Sequence, residues 1–297
     1  MKIFVTGATG FIGSAVVEDL IKAGHQVLGL ARSDAGASSL AAAGVQAIRG
    51  DLEDLESLRA GAAAADGVIH TAFIHDFSKF KENCEIDARA IEALGSTLAG
   101  SDRPLVVTSG TGLVSPGRLA TEDTPPHSGS AAMPRVSEQT AASMLERGVR
   151  ASVVRLPQVH DPVKQGLVTY LIAVAREKGV SAFVGDGLNR WPAVHRLDAA
   201  PLYRLALEKG TAGANYHAVA EEGVPLREIA EAIGRGLEIP VVAKPTEEAA
   251  AHFGWLAFFA AADAPASSAL TQQRLGWRPT ERPGLIADLD QMRYFET

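Results

Sequence analysis

Cysteine is almost absent from this chain of 297 residues, which contains a single one, Cys84. One thiol cannot form a disulfide within the chain, so the fold must be held by its core, and we expect a reducing, cytoplasmic location. The eight histidines are scattered without the spacing of metal ligands and predict no metal site. Only four residues are tyrosines, so a site that needs a tyrosine has few positions to choose from.

Long apolar runs and an excess of basic charge are also missing. No apolar stretch reaches the roughly 18–20 residues that span a bilayer, which predicts no membrane segment. The first strand-like run begins at Lys2, which leaves no room for a signal peptide. The formal net charge is −7 with both signs mixed along the chain, which argues against a nucleic-acid or membrane-binding surface. The length allows one large domain or two interleaved ones.

The most informative stretch lies at the N-terminus. Residues 2–6 are an apolar, β-branched run that predicts a buried strand, and residues 14–23 have the periodicity of a helix. The glycines between them allow a tight turn, a close approach of the backbone to a diphosphate and close packing of helix on strand. The helix N-terminus attracts phosphates. The sequence therefore predicts a dinucleotide site whose contacts here are Gly7, Thr9, Gly10, Phe11, Ile12 and Gly13.

The spacing Gly7-x-x-Gly10-x-x-Gly13 after Thr6, with Phe11-Ile12 inside it, resembles the opening of the extended and atypical short-chain dehydrogenase/reductases, the NAD(P)-dependent epimerase/dehydratase-like family. The resemblance implies an α/β fold, a Rossmann-type doubly wound parallel sheet with a smaller, mostly helical C-terminal substrate lobe. The implied dinucleotide-binding domain covers residues 1–155, with its sheet completed by about 190–220. The implied lobe covers residues 156–189 and 221–297.

The second predicted strand, residues 25–31, ends in Arg32-Ser33. A site for NAD usually has Asp or Glu near this point, about 20 residues after the glycines, to bind the ribose hydroxyls. A guanidinium suits a 2′-phosphate instead, so Arg32 and Ser33 favour NADP (NADPH) over NAD. The alternative is that Asp34 binds the ribose and Arg32 is an ordinary surface residue.

The resemblance extends the cofactor site along the carboxyl ends of the strands. It places Asp51 and Leu52 against the adenine, although Asp51 also suits the role of N-cap for the following helix. Phe73 is nearly as well explained as a core residue. The remaining residues that the resemblance assigns to the ribose and nicotinamide are Thr71, Ala72, Phe73, Thr108, Pro157, Gln158 and Val159.

One part of the family pattern is missing. These enzymes use a Tyr and a Lys four residues apart on one helix face, and the Lys cation lowers the pKa of the Tyr that protonates the substrate. On the helix predicted over Pro134–Arg147, those positions hold Pro134 and Glu138, and no tyrosine in the chain has a lysine four residues later. Pro134 is interpreted as a first-turn helix proline, and Arg135 with Glu138 as a surface ion pair.

Without that pair, the chemistry is left to weaker groups. The fifth predicted strand leads into Ser109-Gly110-Thr111, where the resemblance places a hydroxyl that polarises a substrate carbonyl, and the register does not choose between Ser109 and Thr111. His160 is the best candidate to deliver a proton, with an ordered water as the alternative, because a loop histidine is more often simply hydrogen-bonded. The residues that the resemblance directs toward the substrate are His75, Met133, His160 and Trp191.

Two functions stay open on these observations. The first is an NADP-dependent oxidoreductase that reduces a small, partly apolar carbonyl-type substrate by hydride transfer without the usual Tyr/Lys relay. The alternative is a non-catalytic NADP(H)-binding sensor. A helix predicted over Thr246–Ala261 is assigned to the lobe core, with one edge suited to an apolar pocket. The helices predicted over Asn83–Leu98 and Pro134–Arg147 occupy the place where relatives form a four-helix interface, which predicts a homodimer.

Overall fold

The computed structural model describes residues 1–127, 134–280 and 282–291. The strands within these residues are β1 (Lys2–Thr6), β2 (Gln26–Ala31), β3 (Gln46–Arg49), β4 (Gly67–His70), β5 (Pro104–Gly110), β6 (Arg150–Leu156), β7 (Gln158–His160), β8 (Ser181–Val184), β9 (Arg190–His195), β10 (Asn215–His217), β11 (Glu221–Pro225) and β12 (Val241–Lys244). The α-helices are α1 (Phe11–Lys22), α2 (Asp34–Ala42), α3 (Leu55–Ala63), α4 (Phe80–Leu98), α5 (Ser137–Leu145), α6 (Val168–Lys178), α7 (Arg196–Lys209), α8 (Leu226–Leu237), α9 (Ala249–Phe253), α10 (Ala257–Ala261), α11 (Ala269–Leu275) and α12 (Leu285–Asp290).

Seven strands form one parallel sheet in the order β3-β2-β1-β4-β5-β6-β10. Apolar, β-branched strands of this kind are stable when both faces of the sheet are covered. In β1, Val5 lies opposite Gly29 of β2 on one side and Ile69 of β4 on the other. The strand order reverses between β1 and β4, so a cleft opens at the carboxyl ends of these two strands. The predicted doubly wound parallel sheet is confirmed.

Helices cover both faces of the sheet. On one face, α1 and α7 bury Leu20 and Tyr203 completely. On the other face, α3, α4 and α5 bury Leu94 and its neighbours. Gly95 lets α4 approach α5 closely, because a Cβ on Gly95 would lie 2.7 Å from the sulfur of Met144. This small residue therefore serves packing within the chain.

A smaller lobe follows β6. Its strands form the sheet β11-β9-β7 and the pair β12-β8, and its core includes Trp191, Ile229 and Leu256. Because β9 pairs with β7 and β11, β10 is the strand from the predicted range of about 190–220 that joins the main sheet, beside β6. The segment after α10 also returns to the main core, where the buried Trp277 indole donates a hydrogen bond to the carbonyl oxygen of Asp198 at 3.0 Å.

Two predicted helices differ from those observed. The helix predicted over residues 246–261 is divided into α9 and α10, because Gly254 between them has a left-handed φ of +57°. The helix predicted from Pro134 begins instead at Ser137, so Pro134 lies before its first turn. No helix in the described ranges is long and apolar enough to cross a membrane.

Glu138, at the position of the family lysine, points into the protein. Its carboxylate accepts two hydrogen bonds from Arg155 of β6, at 3.0 Å from Nε and 2.7 Å from Nη2. Arg155 is fully buried, and its Nη1 also donates to the carbonyl oxygen of Thr124 and to Nε2 of His217. The predicted surface pair between Arg135 and Glu138 is wrong, because α5 packs on β6 and turns this carboxylate toward the buried guanidinium.

Replacing Glu138 by glutamine is expected to lower the free energy of unfolding by about 3 kcal/mol, because Arg155 keeps its charge in a buried site without a counter-charge. Glu138→Lys restores the family residue but puts a second cation beside Arg155, so it should be more destabilising still. The measurement is urea unfolding followed by circular dichroism. Glu146→Gln, on the exposed end of the same helical segment, is the control and should change stability by no more than about 0.5 kcal/mol. Equal effects of the two glutamine variants would contradict a structural role for the pair.

Candidate cofactor and substrate site

The glycine loop leaves no room for side chains. Gly7 has a left-handed φ of +70°, and a Cβ there would lie 2.8 Å from the backbone nitrogen of Ala72. A Cβ on Gly13 would lie 2.0 Å from the carbonyl oxygen of Gly7. The N-cap of α1, Gly10, makes no side-chain hydrogen bond, and the first turn contains no acidic residue. Within the described part of the chain, the first N–H groups of this turn have no acceptor, so they can bind an anion, and the loop fits the diphosphate of a dinucleotide.

The residues after β2 surround the N-terminus of α2. Arg32 is exposed, while the Ser33 hydroxyl caps α2 by accepting the N–H of Gly36 at 3.1 Å. Asp34 forms an ion pair with Arg49 of β3, with 3.3 Å between carboxylate oxygen and Nη2. Asp34 is thus directed toward β3, and two guanidinium groups lie near this helix end. The 2′-phosphate contacts of Arg32 and Ser33 stay predictions.

Asp51 closes a turn and does not cap α3. Its Oδ1 accepts the N–H groups of Glu53 and Asp54 at 2.8 and 3.0 Å, while Asp54 is the N-cap and accepts the N–H of Ser57. The cap interpretation of Asp51 is therefore wrong. Leu52 is buried in the core beside β2. Adenine contacts of Asp51 and Leu52 stay predictions.

The ends of β4 and β5 meet the glycine loop. The Thr71 hydroxyl donates to the carbonyl oxygen of Thr6 at 2.7 Å, and the Ala72 backbone lies directly against Gly7. In the next strand, the Thr108 hydroxyl donates to the carbonyl oxygen of His70 at 2.7 Å. The structure thus brings the predicted residues Thr71, Ala72 and Thr108 to the same edge of the sheet as the glycines.

Arg135 occupies this edge as well, and sequence reasoning missed it. Its Nε donates to the Ser137 hydroxyl at 2.8 Å and its Nη2 to the carbonyl oxygen of Thr108 at 3.1 Å. The guanidinium carbon lies 4.4 Å from the ring centre of Phe73, a cation–π contact. Its Nη1 makes no hydrogen bond with the described residues. The half-buried side chain is therefore held by three contacts, and among the described residues its Nη1 has no acceptor that would compete with a ligand.

Behind Arg135, buried polar groups fix its position. The Ser137 hydroxyl donates to Oδ2 of Asp87 at 2.5 Å, and Oδ1 of Asp87 contacts Nε2 of His70 at 3.1 Å. The other ring nitrogen of His70 lies 2.8 Å from the Thr6 hydroxyl. Burial raises the pKa of Asp87, but the hydrogen bond from His70 and the charge of Arg135 outweigh burial and lower it. An ionised Asp87 thus supports the Arg135 cation.

His75 and Phe73 belong to a larger aromatic cluster, whose members are Phe73, His75, Phe77, Phe80, Tyr170 and Trp255. Phe77 stacks on Trp255 with 4.1 Å between ring centres, and this contact joins the loop after β4 to the lobe. Trp255 remains 44% exposed. Partial loss of hydration lowers the pKa of His75, and the positive charges of Arg135 and Lys164 lower it further. The ring is therefore neutral at pH 7. The cleft thus has one polar and one aromatic side.

The two predicted catalytic hydroxyls are buried. Ser109 is 3% and Thr111 2% exposed, so neither reaches the surface of the cleft. Tyr203 does not replace the missing tyrosine, because its hydroxyl is shared with Thr108 at 2.9 Å inside the protein and burial raises its pKa. The carbonyl-polarising role of Ser109 or Thr111 stays a prediction, and Arg135 is the polar group that this edge presents.

His160 does not face a substrate. It is 1% exposed, and its Nδ1 contacts Oδ2 of Asp288 in α12 at 2.7 Å. Burial lowers the pKa of His160 to about 4 and raises that of Asp288 to about 6. The predicted proton delivery by His160 does not fit this placement, because the ring is buried and held by Asp288. His160 instead joins β7 to the C-terminal helix.

Other predicted contacts have structural partners. The Trp191 indole donates to the carbonyl oxygen of Phe259 at 3.0 Å, and the side chain is 3% exposed in the lobe core, which leaves almost no surface for a substrate. The side-chain oxygen of Gln158 accepts the N–H of Leu167 at 2.9 Å. Pro157 and Val159 flank Gln158, and cofactor contacts of these three residues stay predictions. Met133 lies outside the described residues. Within the described ranges, no group of three His, Cys, Asp or Glu side chains is arranged to hold a metal.

Comparisons with known proteins agree with this geometry. The sequence model of the NAD dependent epimerase/dehydratase family matches residues 3–220. Uncharacterized protein C2A9.02 of Schizosaccharomyces pombe is 53% identical over 302 residues, covering 99% of this chain and 100% of that protein. A 2-alkyl-3-oxoalkanoate reductase of Stenotrophomonas maltophilia is 29% identical over 266 residues, covering 82% of this chain and 78% of that protein.

A solved structure shows the same fold. UDP-glucose 4-epimerase of Thermus thermophilus, in complex with NAD, superposes with a TM-score of 0.74. The match covers 100% of this chain and 99% of that one at 22% identity. Similarity at this level of identity concerns the fold alone.

The His160–Asp288 pair generates a pH prediction. In the folded wild type, the two protons of the pair bind with pKa values of about 6 and about 4. In the unfolded chain, the corresponding pKa values are 6.5 for the histidine and 3.8 for the aspartate. Because the two sets are similar, the pair changes the free energy of unfolding little with pH. In Asp288→Asn, the raised pKa of Asp288 no longer offsets the lowered pKa of His160. Between about pH 6.5 and pH 4, the histidine of the unfolded chain then binds a proton that the buried histidine of the folded chain does not. Stability should therefore fall by about 2–3 kcal/mol more than in the wild type between pH 7 and pH 4.5. Urea unfolding at both pH values measures this difference.

Asp290→Asn is the matched control for that prediction, since Asp290 lies on the same helix with an exposed side chain paired to Arg235. It should follow the wild-type pH dependence. If Asp288→Asn does so as well, His160 is not held in its neutral form by burial.

Proposed function

Since the chain belongs to the NAD dependent epimerase/dehydratase family, whose members are NAD(P)-dependent oxidoreductases and epimerases, we propose that it is an NADP-dependent reductase of a small, partly apolar carbonyl compound. The observation that carries this proposal is the position of Arg135 at the ends of β4 and β5, between Thr108 and Phe73. A cation held there with one free donor suits an oxygen on which negative charge develops.

Different residues of the cleft bind the cofactor and stabilise the substrate oxygen. The N–H groups of the first turn of α1 would hold the diphosphate of the dinucleotide, which when bound would supply hydride chemistry. Arg135 hydrogen-bonds the substrate oxygen through Nη1 and stabilises the oxyanion, while Asp87 and Ser137 hold the guanidinium in position. The deep burial of His160 leaves solvent water as the proton source. Positioning and charge stabilisation together account for turnover without the tyrosine.

The aromatic cluster supports an apolar substrate. Phe73 and His75 lie on the Arg135 side, and Phe77 with Trp255 extends the apolar surface into the lobe. A carbonyl group at Arg135 would therefore have its hydrocarbon part against aromatic rings. The relative named 2-alkyl-3-oxoalkanoate reductase supports a carbonyl substrate that carries an alkyl chain.

The cofactor preference is tested by removing Arg32. In Arg32→Ala, the affinity for NADPH should fall by about 1.5–3 kcal/mol, because a charge-assisted contact to the 2′-phosphate is lost. The affinity for NADH should stay nearly unchanged and serves as the internal control. Fluorescence or calorimetric titration measures both. Equal losses for the two cofactors would show that Arg32 does not read the 2′-phosphate.

The chemical role of Arg135 is tested by hydride transfer. With NADPH that carries deuterium at the transferable position, the wild type should place deuterium in the alcohol product from activated, apolar carbonyl compounds. Arg135→Met should lower the rate of transfer about 10²–10³-fold. Its affinity for NADPH should stay nearly unchanged, because the substrate oxygen and not the cofactor loses a partner. Arg59→Met, an exposed arginine on α3, is the control and should transfer at the wild-type rate.

A Ser109→Ala/Thr111→Val variant separates the two assignments. If this double variant loses transfer while Arg135→Met keeps it, a hydroxyl and not the guanidinium binds the carbonyl oxygen. Tight NADPH binding with no transfer to any compound of a broad carbonyl panel would support the alternative, a non-catalytic NADP(H) sensor. The buried position of Glu138, where the family has its lysine, is the observation that favours this alternative.

A further inference from the structure

Two cations, one at the start of α7 and one in the loop between β7 and α6, lie beside the glycine loop. Arg196, at the start of α7, donates from Nη1 to the carbonyl oxygen of Phe11 at 3.3 Å, and its guanidinium lies 5.2 Å from the Phe11 ring centre. The Lys164 ammonium lies 5.7 Å from the same ring centre. Both positive charges therefore lie beside the first residue of α1, next to the free N–H groups of its first turn.

Asp161 organises both cations. Its Oδ1 accepts the backbone N–H groups of Val163 and Lys164, each at 2.8 Å, which closes the turn that presents Lys164. Its Oδ2 lies 2.8 Å from Nε of Arg196, an ion pair between largely buried groups. The charge of Arg196 is thus neutralised within the protein, and the geometry of the turn is fixed by a buried carboxylate.

Lys164 has no such counter-charge. Its side chain is exposed, and its ammonium makes no hydrogen bond or ion pair with the described residues. Its charge also contributes, after burial and Arg135, to the lowered pKa of His75, so the ammonium acts on both walls of the cleft, the glycine loop and the loop after β4. A cation placed between these walls without an acid partner points to an anionic ligand that passes between them.

We propose that Lys164 binds the diphosphate of the dinucleotide from the lobe side, opposite the first turn of α1. Asp161 and Arg196 act as positioning residues that hold the Lys164 turn against Phe11. The loop between β7 and α6 thereby becomes part of the cofactor site, and the lobe contacts the cofactor through charge. This inference needs neither a preference for NADP nor a catalytic reaction, because NAD and NADP share the diphosphate.

The test compares ligands that differ in the bridging diphosphate. NADPH and 2′-phospho-ADP-ribose contain it, whereas adenosine 2′-monophosphate has neither of its phosphates. In Lys164→Met, calorimetry should show that the first two ligands bind about tenfold more weakly, since a charge-assisted contact is lost. Adenosine 2′-monophosphate should bind as to the wild type. If NADH proves the tighter cofactor, then ADP-ribose and adenosine replace these ligands, so failure of the NADP proposal does not affect this test.

Three further variants complete the design. Lys164→Arg should keep most of the affinity, and Lys209→Met, which removes one exposed lysine at the end of α7, should leave all affinities unchanged. Asp161→Asn should reproduce part of the Lys164→Met loss for the diphosphate ligands only, with unfolding transitions confirming that each variant is folded. The proposal would be overturned if Lys164→Met bound every ligand as tightly as the wild type does. This holds even if the variant has a higher KM for a carbonyl substrate, because the cation would then bind the substrate and not the diphosphate. An equal loss for adenosine 2′-monophosphate would overturn it too.

Discussion

The turn from β1 into α1 packs so closely on the end of β4 that Gly7 and Gly13 leave no room for a side chain. The position of the cleft depends on this close contact. A Cβ on Gly13 would collide with the Gly7 carbonyl, and a Cβ on Gly7 would collide with the backbone of Ala72 at the end of β4. Only glycine permits this contact, so the β1–α1 turn lies directly on the neighbouring strand end. The residues that follow, Phe73 and His75, are thereby carried to the rim of the same cleft that receives the free N–H groups of α1.

The positive charge of this edge does not come from the helix position to which the family resemblance assigns a lysine. At the family's lysine position, Glu138 turns inward and pairs with Arg155, because a carboxylate that packs against a buried guanidinium is stable there and a second cation is not. Arg135, three residues earlier, places a cation at the ends of β4 and β5, and a buried Asp87 balances its charge through Ser137. Hydrogen bonds and an aromatic ring fix the position of this cation.

Buried carboxylates also hold the lobe in place. Asp161 joins the turn that carries Lys164 to Arg196, and Asp288 joins α12 to His160. In each case a buried carboxylate contacts a basic side chain from a distant segment. Such a contact fixes the relative orientation of the two segments, because hydrogen bonds and ion pairs depend on direction and apolar packing does not. The Asp161 contacts hold Lys164 beside the cleft, and the Asp288 contact keeps His160 buried away from it.

The sequence by itself determined the alternation of strands and helices, the glycine loop and the end of β2 just before Arg32, because each depends on neighbours in the chain: strand and helix periodicity, turns that need glycine, and the residue that ends a strand. It also showed that the Tyr/Lys pair is missing. The doubly wound order of the strands was implied by the family resemblance. Only the tertiary structure decided which polar groups face the cleft. His160 meets an aspartate 128 residues away, and Ser137 meets one 50 residues away. Whether a side chain is buried and paired or exposed and reactive depends on such distant partners, and no local pattern records them.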